Sequence, residues 1–322
     1  MGSELLVVEA ARTPTTDAAV NPQDQVAHFA LAAHAPATRR AYAAALRDWD
    51  RWSTRHARQY LPALEHDVAE YLAALAGTGI SVSSLMQRVA ALAYAHRLAG
   101  LPSPTDAPAV RAVVSGARRV LGSRPDRKAP ATVDALSDML AQVPGDTLPG
   151  RRDRALLLLG FAGAFRRSEL VAIDREHCTE TDQGVLVFVP RSKSDQEGQG
   201  REVAILRGTR LCPVQALHEW LLASDIVEGP VFRPISSTGV LGPRRLTGGT
   251  VARLVKRYAE AAGLDPEIYS GHSLRAGFAT AALDRGASLD AVARQLGHAR
   301  LDTTRVYDRR SAFTGHAGRK LL

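Results

Sequence analysis

The sequence predicts a mainly α protein of two domains, an N-terminal helical bundle followed by an α+β domain that holds one small antiparallel sheet. Three observations carry this expectation. Apolar residues recur at helical spacing through the first half of the chain. A charged stretch with two prolines, 122–130, has no apolar periodicity and reads as an interdomain linker. In the second half, helical patterns are interrupted by two β-rich runs, 184–190 and 202–206, on either side of a polar loop at 191–200. The division expected is a small, polar tail of residues 1–20, a bundle of 21–122, a linker of 123–131 and a second domain of 132–322.

Each bundle helix has its own signal. Thr38 is placed to cap a first helix whose apolar stripe is Tyr42, Ala45, Leu46, Trp49 and Trp52. Val68, Tyr71, Leu72 and Leu75 repeat the pattern in a second helix that ends before Gly77. A third runs over 83–98 through Leu85, Val89 and Leu92 and stops at Gly100-Leu101-Pro102. The fourth, 108–121, opens on Pro108, where the missing N–H costs nothing. Arg39, Arg40, Arg47, Arg88, Arg118 and Arg119 are candidates for the exposed faces of this bundle, where simple solvation is the competing explanation for each.

In the second domain helices are expected at 132–142, 151–165, 213–223, 247–262, 272–285 and 288–296. The β-rich runs form a hairpin with a long tip, joined by a strand near 171–178.

Composition narrows the function. With 41 Lys+Arg against 33 Asp+Glu, the 322-residue chain carries +8, and 45% apolar residues with 23% charged exclude disorder and fibrous repeats. The longest apolar run, 155–165, is about half of what a bilayer span needs. No secretory leader is recognisable, and two cysteines, Cys178 and Cys212, cannot build a disulfide framework, so a reduced, cytoplasmic protein is expected. Both halves are basic, by +3 over 1–125 and +5 over 126–322, as a polyanion gripped by both domains would require. Only four of the 41 cations are lysines, Lys128, Lys193, Lys256 and Lys320. Codon bias accounts for most of that imbalance, but a retained Lys marks a place where a proton can be released.

No glycine-rich phosphate loop, nucleophile elbow or paired metal-ligand motif occurs, so ATP hydrolysis and two-metal nuclease chemistry lack their usual parts. The sequence Ser270-Gly271-His272-Ser273-Leu274-Arg275 opens one helix. His272 and Arg275 share its first turn, where the helix dipole also favours an anion. Ser288 caps the next helix, and Gly297, in Leu296-Gly297-His298, stands where a left-handed C-terminal residue belongs and so projects His298 from a fixed corner. Tyr307 follows nine residues later.

These residues, in this order and spacing, resemble the tyrosine recombinase (phage integrase) family, and within it the simple two-domain, Cre-like or Xer-like members. The likeness covers about residues 25–320. Gly163-Ala164-Phe165-Arg166-Arg167-Ser168-Glu169-Leu170 is similar to the family's Arg-x-x-Glu motif, and Glu169, three after Arg166, selects Arg166 over Arg167. Ala164 and Phe165 stand where many members carry Gly and Leu. Arg167 replaces a commonly apolar residue and could face DNA or pair with Glu169. The hairpin lysine of the family maps onto Lys193, its His-x-x-Arg box onto His272 and Arg275, its Leu-Gly-His motif onto His298 and its nucleophile onto Tyr307.

The resemblance implies a SAM-like core-binding bundle, a catalytic second domain and attack by a tyrosine oxygen on a DNA phosphodiester, leaving a 3′-phosphotyrosine and a free 5′-hydroxyl. Strand exchange then proceeds through a Holliday junction without ATP, cofactor or metal. The residues suit that chemistry. Arg166 and Arg275 offer planar donor forks to a transition state rich in negative charge, and His298 can add a hydrogen bond. His272 can take the tyrosine proton near neutral pH. Lys193 can protonate the leaving oxygen, which Arg cannot. Glu169 is too acidic for that and takes a supporting role. The implied partner is double-stranded DNA bearing a specific site of inverted repeats, bound by a homotetramer that exchanges C-terminal segments. Arg39, Arg40, Arg88, Arg118 and Arg119 on the bundle and Arg244, Arg245, Arg253, Lys256 and Arg257 in the second domain are the candidates for DNA contact, against a solvated face as the competing explanation. A type IB topoisomerase-like nicking-closing enzyme and a non-catalytic DNA-binding regulator are the alternatives.

Overall fold

A computed structural model describes residues 36–122, 128–190 and 199–308. The predicted N-terminal tail, most of the linker, the hairpin loop with Lys193 and the segment after 308 lie outside the described residues. The chain divides into two compact units, Met1–Pro125 and Asp126–Leu322. The architecture is the mainly α, two-domain one expected, with a small antiparallel sheet in the second unit.

The first unit holds four helices, α1 (Pro36–Arg55), α2 (Glu65–Gly77), α3 (Val82–Leu98) and α4 (Pro108–Leu121). Helix α1 begins at Pro36, so Thr38 lies inside its first turn and is not its cap; proline is suited to that first position. The predicted stripe is the buried one. Ala45, Leu46 and Trp49 enter a core with Val68, Tyr71, Leu72, Leu85 and Leu92, and Tyr42 and Trp52 pack at its margin. Trp49 Nε1 donates to Tyr60 O at 2.9 Å, which satisfies the one polar atom of a large buried ring. Helix α2 runs through Gly77, and α3 is capped by the Ser81 hydroxyl, which accepts from Ser84 N at 3.1 Å.

The second unit opens with α5 (Val133–Ala141), capped by Thr132, and α6 (Leu148–Ala162), capped by Thr147. Helix α6 stops three residues short of the predicted 165. Gly163 ends it, and Ala164, at φ +48°, turns the chain so that Phe165 enters the core and Arg166 opens a further short helix, α7 (Arg167–Val171). The strand expected near 171–178 is displaced. Residues 171–177 complete α7 and form a 3₁₀ turn, Arg175–His177, held by His177 Nδ1 accepting from Asp174 N at 3.1 Å. The strand starts only at β1 (Cys178–Thr181).

Strands β1, β2 (Gly184–Val189) and β3 (Arg201–Leu206) form an antiparallel sheet in the order β1-β2-β3. Val187 pairs with Cys178 on one side and Val203 on the other, and Val185 with Ile205. The alternation buries Val185, Val187, Val189, Val203 and Ile205 on one face. Then come α8 (Pro213–Ser224), α9 (Gly248–Ala261), α10 (Gly271–Asp284), α11 (Leu289–Leu296) and α12 (Leu301–Arg305). The main core gathers Leu136, Met139, Leu156–Leu159, Phe165, Trp220, Phe232, Val251, Val255 and Leu274 with the inner sheet face. A smaller cluster of Ala164, Ala279, Leu283, Val292 and Leu296 seats α11 on the other side of α10, and Tyr307 packs against it. Helix α10 thus stands between two apolar layers with its N-terminus beside the end of α6, which is where the site forms.

Candidate active site

The site grows from four chain segments, and one buried carboxylate organises it. Arg-x-x-Glu supplies one half of a capping box: Arg166 is the N-cap of α7, and Glu169 reaches back so that Oε2 accepts from Arg166 N at 2.9 Å. Arg166 Nη1 bonds Glu169 Oε1 at 2.5 Å. Glu169 is 3% exposed, a depth at which a carboxylate must be paired. Arg275 Nη1 lies 4.0 Å from Oε2. Arg167 does not take this carboxylate; its stem lies against Gly248 and Gly271.

Arg275 is almost wholly buried in the first turn of α10. Its Nη1 donates to Ala164 O at 2.7 Å, and Nη2 to Leu296 O at 2.7 Å and to His298 Nε2 at 2.8 Å. Burial and then the neighbouring Arg166 push its pKa down, with Glu169 opposing. The left-handed Ala164 aims its carbonyl at this guanidinium.

Because Arg275 can only donate, His298 Nε2 is an acceptor in this state, and Nδ1, 2.9 Å from Thr304 Oγ1, carries the proton. Desolvation, then Arg275 and Arg166, lower the pKa of His298 to about 4, which keeps the ring neutral. The expected geometry of its corner is present. Ser288 Oγ accepts from Ala291 N at 3.2 Å, and Gly297 has φ +63°.

His272 sits at the mouth of α10, whose start is closed by Ser270 and Ser273 in reciprocal bonds. Its Nε2 is 3.0 Å from the Tyr307 hydroxyl. Burial of the ring, then Arg275, Arg166 and Arg167, lower its pKa from the ordinary 6.5. A neutral imidazole at hydrogen-bond distance from a phenol is arranged to accept its proton. Tyr307 follows α12, and its ring lies parallel to that of His298, centroids 6.4 Å apart.

The structure therefore brings together Arg166, Glu169, His272, Arg275, His298 and Tyr307; Lys193 lies outside the described residues. It also adds Arg201, which sequence reasoning missed. At the start of β3, Arg201 donates from Nη2 to Glu169 Oε2 at 3.3 Å and from Nη1 to Gln295 O at 3.1 Å. Its identity as one arginine among many carried no local signal.

The candidate surface cations are distributed unevenly. Arg39, Arg40, Arg47, Arg119 and Arg244 are exposed. Arg88 pairs with Asp48 at 2.6 Å, and Arg118 reaches Met86 Sδ. Arg245 pairs with Asp174, Arg253 bonds Thr250 and Lys256 bonds Glu267. Arg257 bonds Asp153 at 2.6 Å and lies over the Tyr258 ring. Among the described residues no group of three or more His, Cys, Asp and Glu side chains is placed to hold a metal ion, and no helix is long and apolar enough to cross a membrane.

Residues 132–312 match the model of the phage integrase family. Among curated proteins, the integrase/recombinase xerD homolog of Selenomonas ruminantium is 38% identical over 266 residues, 81% of this chain and 78% of that one. Recombinase cre of Escherichia phage P1 is 26% identical over 76% of this chain and 75% of its own. Among solved structures, the XerH site-specific recombinase bound to a palindromic difH substrate, in a post-cleavage complex, shares the fold with a TM-score of 0.60 at 18% identity, over 88% of this chain and 78% of that chain. A lambda integrase dimer bound to a COC′ core site does so with a TM-score of 0.59 at 16% identity, over 94% and 83%. With the family model spanning more than half of the chain and a 38% identical relative spanning four-fifths of it, the chain belongs to the phage integrase family, the tyrosine recombinases, enzymes that cleave and rejoin DNA at specific sites through a phosphotyrosine intermediate.

Proposed function

We propose that Tyr307 is the nucleophile of this recombinase and that its hydroxyl gives up its proton to His272 as it attacks a DNA phosphodiester. The observation that carries this reading is the 3.0 Å contact between His272 Nε2 and the Tyr307 hydroxyl, with the pKa of the imidazole lowered by desolvation and by three nearby guanidiniums. Arg166 and Arg275 hold the non-bridging oxygens, where extra negative charge develops. Arg275 donates to His298 in the free protein, so an arriving phosphate displaces that acceptor. The Thr304 hydroxyl can donate or accept, so the His298 proton can move from Nδ1 to Nε2 and point at the phosphate. Lys193 protonates the leaving 5′-oxygen, and the 3′-phosphotyrosine conserves the bond energy for rejoining.

The partner is double-stranded DNA, gripped by two basic units with affinity dominated by phosphate contacts. A homotetramer on two inverted-repeat sites, with exchange of C-terminal segments, is the assembly proposed, working in the cytoplasm. Covalent capture on a randomised duplex library, followed by sequencing of the trapped DNA, tests the reading. The wild-type protein forms adducts enriched in one site, whereas Tyr307→Phe forms none and binds DNA within about threefold, since it loses no charge. Adducts from Tyr307→Phe at the wild-type level would refute the nucleophile.

A further inference from the structure

We propose that Arg201 is a positioning residue for cleavage, acting through Glu169 and the corner that bears His298. The proposal rests on the reading of the site given above.

Arg201 joins parts of the chain that are far apart in sequence. Its guanidinium is one plane with two ends. One end takes Glu169 Oε2, the other takes Gln295 O at the last turn of α11, and the strand that carries it leads directly out of the hairpin loop of Lys193. Gln295 adds a second tie, its Nε2 lying 3.1 Å from both Ala204 O on β3 and Ala162 O at the end of α6. The open edge of β3 is thereby pinned to α11.

Gly297 acquires a second reason to be glycine. Its φ of +63° is one, and the other is Arg201, because a Cβ at residue 297 would lie 2.6 Å from Arg201 Nε and 3.0 Å from Cζ. The guanidinium rests on the bare backbone of the Leu-Gly-His corner. Its Nε is buried with no acceptor among the described residues, an arrangement native structures keep only where something else demands the geometry.

The charge pattern states what Arg201 does. Glu169 Oε1 belongs to Arg166, and Oε2 is shared by Arg166 N and Arg201. Without Arg201, the next cation available to Oε2 is Arg275 Nη1, at 4.0 Å. A carboxylate released toward Arg275 would occupy a donor that the phosphate needs. Arg201 therefore keeps Glu169 on Arg166 and leaves Arg275 for substrate, without touching the DNA itself.

The test uses a nicked duplex carrying the site recovered by covalent capture, the full-length protein, and three substitutions, Arg201→Met, Arg201→Gln and Arg201→Lys, each first shown to unfold cooperatively. The single-turnover rate of adduct formation at saturating DNA should fall about 10–100-fold for Met and Gln, as for loss of an outer-shell partner, while the Kd for DNA stays within about threefold. Lys, which keeps one charged donor, should recover part of the rate. In the Glu169→Gln background, Arg201→Met should cost less than about threefold more, because its effect passes through Glu169. A folded Met or Gln variant that cleaves at the wild-type rate, a loss confined to Kd, or fully multiplicative effects in the double variant would each overturn the proposal. Tyr307→Phe, run alongside, separates the two readings: an adduct there refutes the nucleophile, whereas a wild-type rate from Arg201→Met with no adduct from Tyr307→Phe refutes Arg201 alone.

Discussion

Acidification should destabilise the catalytic unit through His298. The ring accepts a hydrogen bond from Arg275 at Nε2 and stands among guanidiniums, so protonation breaks a 2.8 Å bond and sets like charges together. Its pKa is about 4 when folded, against an ordinary 6.5. A histidine depressed in this way contributes stability that is full above its ordinary pKa and is lost as pH falls toward the folded value, because only the unfolded chain takes up the proton in that window. From neutral pH to about pH 5, at ~1.4 kcal/mol per pH unit, the loss is about 2 kcal/mol, and contact of the half-open ring with water reduces it to about 1 kcal/mol. His298→Gln retains an acceptor for Arg275 and cannot titrate. Urea unfolding followed on the resonances of the catalytic unit at about pH 7.5 and about pH 5 should show the wild-type protein losing about 1 kcal/mol more than His298→Gln across that interval. The ¹³C-labelled His298 resonance should titrate well below 6.5. Parallel losses in the two proteins, or a His298 that titrates at or above 6.5, would refute the argument that Nε2 is an obligate acceptor in the free enzyme.

Other outcomes follow from the same geometry. The single-turnover rate of adduct formation should rise with pH as His272 loses its proton, with a midpoint below 6.5 since its pKa is lowered, and His272→Gln should abolish that limb of the profile. Asp153, fully buried, accepts from Arg152, Arg257 and Tyr258; Asp153→Ala should cost about 3–5 kcal/mol in urea unfolding by leaving buried donors unpaired, while Arg257→Ala should lower stability more than DNA affinity.

Chain-local features were legible in the sequence because they depend on neighbours three or four residues away. The stripe of Ala45, Leu46 and Trp49, the cap at Ser288 and the left-handed Gly297 all have this character. The errors have the same origin. Thr38 is a good cap in isolation, but Pro36 starts the helix. Residues 171–178 include apolar and β-prone side chains, yet the Asp174–His177 bond holds a 3₁₀ turn there. The apolar run through Phe165 suggests a longer helix, whereas Ala164 bends the chain so that its carbonyl can meet Arg275.

By itself the sequence determined the two-domain, mainly α architecture, and its motif spacing pointed to the family and to most of the residues that now stand together. Only the tertiary structure decided which arginine takes which oxygen of Glu169, that His298 accepts where a donor was expected, that Arg257 is bound to Asp153, and that Arg201 belongs to the site. Periodicity and capping act over one helical turn, whereas Glu169, Arg201, Arg275 and His298 converge from α7, β3, α10 and the end of α11. Packing around one buried carboxylate sets their roles, and no spacing along the chain encodes that convergence.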